Sequence, residues 1–253
     1  MADMRVVRHL EQDTEGFEIF LEETAAAVAR DDQAPSSDPA IVKEWIAAKM
    51  VGRWRADGSS LVRQPYRPRS YSSASDQPDN DFLYGAEDPN GLRCPFGAHI
   101  RRANPRESFA PSHPDPSAIL QALQAGANPF DTISTPAQMQ LAITNRHRIL
   151  RVGRGYGPQE DLDKPGLVFM CLNTDIERQF EFIQKTWVLG SSFHGLEAEL
   201  DPLIGHRDEN IVLLTIPTPS GRVRLKGLQD FVTVRGSGYF FLPGRAAIRY
   251  LAH

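Results

Sequence analysis

The stretch Cys94-Pro95-Phe96-Gly97-Ala98-His99-Ile100-Arg101-Arg102-Ala103-Asn104-Pro105-Arg106 sets one imidazole among small and apolar residues, directly ahead of three guanidinium groups. That combination suits a buried ligand with an apolar body and anionic edges. Haem has that shape, because its iron takes an imidazole and its propionates take arginine. Spacing alone leaves a blander reading open, a core histidine beside a solvated basic turn. The other histidines, His9, His113, His147, His194, His206 and His253, are scattered. They form no H-E-x-x-H pair, and the chain has neither a G-x-S-x-G elbow nor a Walker loop. Gly153-Arg154-Gly155-Tyr156-Gly157 is glycine-rich but lacks the G-x-G-x-x-G order. Cys94 stands without a second cysteine at C-x-x-C-H spacing, which excludes covalent haem attachment of that kind.

These groups need elements to hold them. Met4–Leu10 reads as a strand that runs into a helix capped by Asp13 or Thr14, with Phe17, Phe20, Leu21, Ala25 and Val28 at helical spacing. A second helix is predicted from Pro39 to Met50, started by Asp38-Pro39, with Ile41, Trp45, Ile46 and Met50 on one face. From Gly52 to about Thr135 periodicity fails in a run dense in Pro, Ser, Asp, Asn and Gly, with short helical turns near 118–125 and 137–142. Arg146–Val152 alternates as a strand, and Gly166–Leu172 is a nearly all-apolar one, so both of its faces should be covered. Asp175–Trp187 reads as a helix, with Thr174 and Glu177 spaced as a capping box. A last strand runs from Phe231 to Leu242, followed by a short helix from Pro243. The order implies one α+β unit with an antiparallel sheet.

Composition sets the outer limits. The 253 residues carry 28 Lys+Arg against 32 Asp+Glu, a formal net charge of -4. That balance argues against a nucleic-acid footprint. No apolar run reaches the roughly 20 residues of a membrane span, and the start lacks a secretory apolar core. Two cysteines, Cys94 and Cys171, cannot build a disulfide framework or a four-cysteine zinc site, so a reducing cytoplasm is the expected setting.

The segment Cys94 to Arg106 resembles the haem-ligand signature of the dye-decolourising (DyP-type) peroxidases, in their longer-chain subgroup. Asn80-Asp81-Phe82 with Asp88–Arg93, Arg148–Arg151 with Gly155-Tyr156-Gly157, Gly166–Phe169 with Asp175–Phe180, and Phe231–Pro243 are similar to further segments of that family, in its order. The resemblance implies a haem b peroxidase that uses hydrogen peroxide to oxidise small phenols or dyes. It makes His99 the proximal iron ligand and Asp230 the acid that orients it. Arg151 becomes the distal arginine and Arg106 a propionate partner, while Leu167 and Phe169 wall the pocket. Tyr156, Tyr239 and Trp187 are conceivable electron relays, each better explained as packing.

One departure qualifies this. The family's G-x-x-D-G motif, whose Asp moves a proton between the peroxide oxygens, is absent; Trp54-Arg55-Ala56-Asp57-Gly58 has Trp where the first Gly belongs. Met4–Asp13 resembles the start of the second of the family's two ferredoxin-like halves. The implied architecture is that C-terminal half alone: residues 1–253 as one domain, with a ferredoxin-like antiparallel sheet, helices on one face, and a long irregular insert over 52–145 that carries the ligand motif. The missing half would come from a separate chain or from self-association, and an uncovered apolar sheet face is expected. Loss of the distal acid would slow peroxide cleavage, since general acid–base help is worth about 10²–10⁴-fold. The alternatives are a haem-binding or interaction module with little turnover, and a chain with no haem pocket. With nothing after Leu251-Ala252-His253, no tail for loading into a shell is expected.

Overall fold

The computed structural model describes residues 3–69, 80–109, 136–157, 164–197, 199–205 and 213–252. Strand β1 (Asp3–Gln12) leads into α1 (Thr14–Val28), whose first turn is capped by the Asp13 carboxylate accepting from Gly16 N at 3.1 Å. α1 buries Phe20, Leu21, Ala25 and Val28, the spacing that predicts it. α2 (Pro39–Val51) starts at Asp38, which accepts from Ala40 N, and stops at Gly52 in the left-handed region, φ 95°. Its buried stripe runs through Val42, Trp45, Ile46 and Met50. Ile41, expected on that stripe, lies on its flank and is 55% exposed.

Strands β2 (Leu150–Tyr156), β3 (Gly166–Asn173) and β6 (Val232–Leu242) join β1 in one antiparallel sheet of order β2-β3-β1-β6. With α1 between β1 and β2, and a π-helical segment (Glu177–Glu181 and Ile183–Val188) between β3 and β6, this is the ferredoxin-like order. β2 begins at Leu150, later than the predicted Arg146: residues 146–148 instead close the C-terminal turn of the helix Pro136–Asn145, with Arg146 N bonded to Ile143 O. Its π-helical character also departs from the plain helix expected over 175–187. There the N-terminal partner is Gln179, whose Oε1 accepts from Thr174 N and Asp175 N, in the place expected for Glu177. The predicted turns near 118–125 lie outside the described residues.

Directly paired residues share a sheet face. One face carries Val6 and Arg8 of β1, Leu167, Phe169 and Cys171 of β3, Arg151 of β2 and Tyr239 of β6. The π-helical segment packs on it through Phe180, in a cluster with Val6 and Cys171. The other face carries Val7, Val152, Met170, Leu172 and Phe240.

The main core lies away from this sheet. A two-stranded hairpin, β4 (Leu213–Thr218) and β5 (Gly221–Lys226), buries Leu214, Ile216, Val223 and Leu225 against α1 and α2. The first part of the insert closes that core with Trp54, Leu61, Val62, Phe82, Tyr84, Cys94 and Ala98. Irregular backbone here is packed interior, which is why the stretch lacks period and is still ordered.

Candidate functional site

His99 opens α4 (His99–Ala103), a single turn after Tyr84–Glu87 (α3), in which Ala98 O accepts from both Arg101 N and Arg102 N. So short a helix has little stability of its own. It is held by the side chains that follow His99, and here the structure revises the expectation for them. Arg101 and Arg102 are internal, at 1% and 0% exposure, and neither faces a ligand. Arg101 lies between the rings of Tyr84 and Phe96, 4.3 Å from each centroid, and donates to Asp88 Oδ2 (3.1 Å) and Cys94 O (2.7 Å). Arg102 donates to the carbonyls of Trp187 (3.0 Å), Gly190 (3.0 Å) and Glu199 (2.7 Å). These carbonyls end the π-helical segment and begin the loop beyond it.

That loop delivers the partner of His99. His99 Nδ1 lies 2.8 Å from Asp201 Oδ2, with the histidine side chain 27% exposed and the aspartate fully buried. Asp201 is itself fixed, since Oδ1 accepts from Leu203 N (2.9 Å) and Ile204 N (3.0 Å). Burial alone would lower the imidazole's pKa, but the Asp201 charge and hydrogen bond outweigh it and raise it; the Arg151 charge works against them. Burial would likewise raise the Asp201 carboxyl, and His99 with the two backbone donors brings it below the ordinary range. Nδ1 is thus committed to a carboxylate, which raises the basicity of the ring and leaves Nε2 as its outward nitrogen.

The acid expected in this place was Asp230. The carboxylate beside His99 is instead that of Asp201, and Asp230 is exposed, one residue before Phe231 at the entry to β6. A signal for Asp201 does exist in the sequence. Asp201-Pro202 followed by two residues whose N–H groups it accepts is an Asx-turn pattern, but a turn signal does not say what the second carboxylate oxygen will meet.

Arg106 adopts φ 54°, in the left-handed region, costly for a residue with a side chain. Its guanidinium stacks 3.9 Å over Phe82 and gives one N–H to Phe82 O at 2.7 Å, and no further partner stands among the described residues. Arg151 is exposed on β2, on the same sheet face as Leu167 and Phe169, both half-buried. Gly153 makes room there: a Cβ would meet Leu167 Cδ1 at 3.0 Å. Phe169 also touches Phe180, ring centroids 6.2 Å apart. Of the conceivable relays, Trp187 is buried, the Tyr156 hydroxyl donates to Leu10 O, and the Tyr239 hydroxyl donates to Glu181 Oε1 at 3.0 Å.

Beneath α4 runs a buried polar layer that sequence reading passed over. Lys49 Nζ donates to Leu92 O and Arg93 O, and burial brings its pKa down to about 8. Asp88 accepts from Arg93 N and Cys94 N, and burial raises it. The Cys94 thiol is pushed up to about 11 by burial, so it is no nucleophile. Among the described residues no group of three or more His, Cys, Asp or Glu side chains could hold a metal ion. No described helix is long and apolar enough to cross a membrane.

No family model matches the chain. It is 30% identical to dye-decolorizing peroxidase msp1 of Mycetinis scorodonius, over 96% of this chain and 45% of that protein. It is 29% identical to the multifunctional dye peroxidase DyP2 of Amycolatopsis sp., over 83% of this chain and 42% of that one. The solved structure of DyP2 from Amycolatopsis superposes with a TM-score of 0.64 at 27% identity, covering 96% of this chain and 47% of that chain. An ancestral D-type dye decolorizing peroxidase gives 0.69 at 26% identity, covering 98% and 51%. The chain spans about half the length of the curated relatives it matches.

Proposed function

From the premise that this chain belongs to the dye-decolourising peroxidase family, we propose that it binds haem b through His99 and serves a hydrogen-peroxide-dependent peroxidase that oxidises dye-like or phenolic aromatics. The observation that carries the reading is the His99–Asp201 pair at 2.8 Å, which occupies Nδ1 and leaves Nε2 outside that bond. Bound haem would supply a redox-active iron that reduces peroxide with electrons drawn from the aromatic substrate.

The chain's own groups fit that cofactor. His99 Nε2 is the nitrogen for the iron, and Asp201 makes it a stronger donor by holding Nδ1–H. The free part of the Arg106 fork suits a propionate. Arg151 presents a cation, apt for negative charge developing on a peroxide oxygen. Leu167 and Phe169 offer an apolar wall that keeps water from the same side. The two cysteines are free and buried, in keeping with a reducing, cytoplasmic setting.

The absence of G-x-x-D-G from the sequence favours a second reading, a haem-binding module whose peroxide turnover needs a proton carrier from elsewhere. Adding haemin to the purified chain and recording the Soret band tests the shared part: a band lost in His99→Ala supports both readings, and a band unchanged by that substitution refutes them. A peroxide-driven dye assay on the haem-loaded chain then separates the two.

A further inference from the structure

The hairpin β4–β5 has two outer edges, and they are finished differently. Pro217 has no N–H, so its rung with Arg222 is a non-hydrogen-bonded one. The bonded rungs are then Leu214–Leu225, Ile216–Val223 and Thr218–Gly221, and the residues between them turn N–H and C=O outward. On β4 that edge is closed. Thr215 N donates to the buried Glu199 at 3.2 Å, and Pro217 has no donor to offer. On β5 the outward groups belong to Arg222, Arg224 and Lys226, and no backbone partner meets them among the described residues. Their side chains are exposed, with no ion pair or hydrogen bond among the described residues.

A groove of about 320 Å³ borders this strand, between Glu23, Ala27 and Val28 of α1 and Arg224, Leu225 and Lys226 of β5. Arg224 and Lys226 lie on one face of β5 and the buried Leu225 on the other. Lining drawn from both faces, with none from β4, puts the groove along the free edge. Its floor is apolar, since Val28 and Leu225 are buried, and its rim carries cations about 6.6 Å apart along the strand. An unpaired strand edge is a template for one more strand. Charge decides which strand. A second copy bringing its own β5 antiparallel would set cation against cation at each outward rung, which is unfavourable. Glu23 is the one carboxylate among the residues lining the groove, so an acidic strand is the complementary one.

We propose that β5 takes up an extended segment of a partner polypeptide as a third, antiparallel strand of this hairpin. Carboxylates on its alternate residues face Arg222, Arg224 and Lys226, and the apolar residues between them lie over Val28 and Leu225. Neither haem nor peroxide enters this docking, so it stands or falls apart from the peroxidase reading.

The test adds the end-blocked peptide Glu-Val-Glu-Val-Glu to the full chain at low ionic strength. One-to-one binding with a dissociation constant below about 1 mM is expected. Peptide at about ten times that constant should raise hydrogen-exchange protection of the Arg222, Arg224 and Lys226 amides about tenfold. The Val223 and Leu225 amides, already bonded to β4, should change little. Arg224→Glu removes one pair and adds a like-charge contact, and should weaken binding about tenfold. Arg249→Glu, in the exposed C-terminal helix Arg245–Leu251, should leave it unchanged. The same peptide methylated at its glutamate nitrogens keeps every charge, loses the donors, and should not bind. Equal binding of the methylated peptide reduces the edge to a basic patch and overturns the proposal. Equal binding of Gln-Val-Gln-Val-Gln overturns it too, as does a dimer of the chain alone that Arg224→Glu dissociates. Equal protection of the three amides by a single-stranded oligonucleotide assigns the edge to nucleic acid instead. No binding up to about 1 mM, or binding that leaves those amides unprotected, refutes it outright.

Discussion

Lys49 offers the sharpest quantitative test of how the segment around α4 is supported. The residue is 2% exposed, its ammonium donates to Leu92 O and Arg93 O, and burial brings its pKa from 10.5 down to about 8. Between those two values the unfolded chain keeps the proton and the folded chain has lost it, so stability must rise with pH across the interval. Two and a half units at 1.36 kcal/mol each give about 3 kcal/mol over the full range. Cys94 opposes it: its thiol, pushed up to about 11, stays protonated in the folded state while the unfolded one ionises near 9, which lowers stability from about 9 upward. The net curve of the native chain is therefore not diagnostic, but its difference from Lys49→Met is. Urea denaturation at pH 7, 8, 9 and 10 should show native minus Lys49→Met stability climbing by 2–3 kcal/mol, about, between pH 8 and 10. A flat or falling difference would refute the claim that this lysine is buried as a strained cation.

Three further outcomes are expected. Asp201→Asn should lower the pH at which His99 protonates in the haem-free chain, read from the imidazole proton shifts by NMR, while Asp230→Asn leaves it unmoved; a shift in the second variant and not the first would reverse the assignment. The stability that Asp201 adds through a raised histidine pKa is fully present below the ordinary histidine pKa of about 6.5 and fades as pH rises through the folded value. Arg102→Met removes the guanidinium donor from the buried carbonyls of Trp187 and Glu199 and should cost about 3–5 kcal/mol in urea denaturation, with Arg102→Lys recovering only part because an ammonium lacks the planar fork. Gly52→Ala must hold φ 95° and place a Cβ 2.4 Å from Ile100 Cγ1; it should cost about 2–4 kcal/mol. Gly58→Ala, with open space around φ 72°, should cost about 1 kcal/mol, and equal losses for the two would discount the contact with Ile100.

What the sequence made legible follows local chemistry closely. Asp13 and Asp38 fix the starts of α1 and α2 by hydrogen bonds within three residues, with Pro39 in the first turn of α2, and the apolar run of β3 is visible without any partner. His99 and the resemblance of its surroundings were equally local. Asp201 was not: it meets His99 across 102 residues of chain, and only folding brings the second carboxylate oxygen there. Arg101 and Arg102 misled for the same reason, because a guanidinium aimed at an anion and one aimed at carbonyls look alike in a sequence. The hairpin β4–β5 did carry a signal, apolar residues alternating through Leu214, Ile216, Val223 and Leu225 about the Pro219-Ser220 turn, and prolines at 217 and 219 obscured it.

Arg106 and Arg151 rest on very different supports. Arg106 is anchored beside the main core, stacked on Phe82, and Thr144 donates to its carbonyl at 2.6 Å. Arg151 rides on β2, an edge strand exposed at nearly every position and bonded on one side only. Edge strands of this kind open at a small fraction of the free energy of global unfolding. Anything that binds above His99 must therefore spend part of its affinity on ordering one wall of its own pocket. Tightening β2 from the far side of the sheet would raise that affinity without touching a single atom of the site.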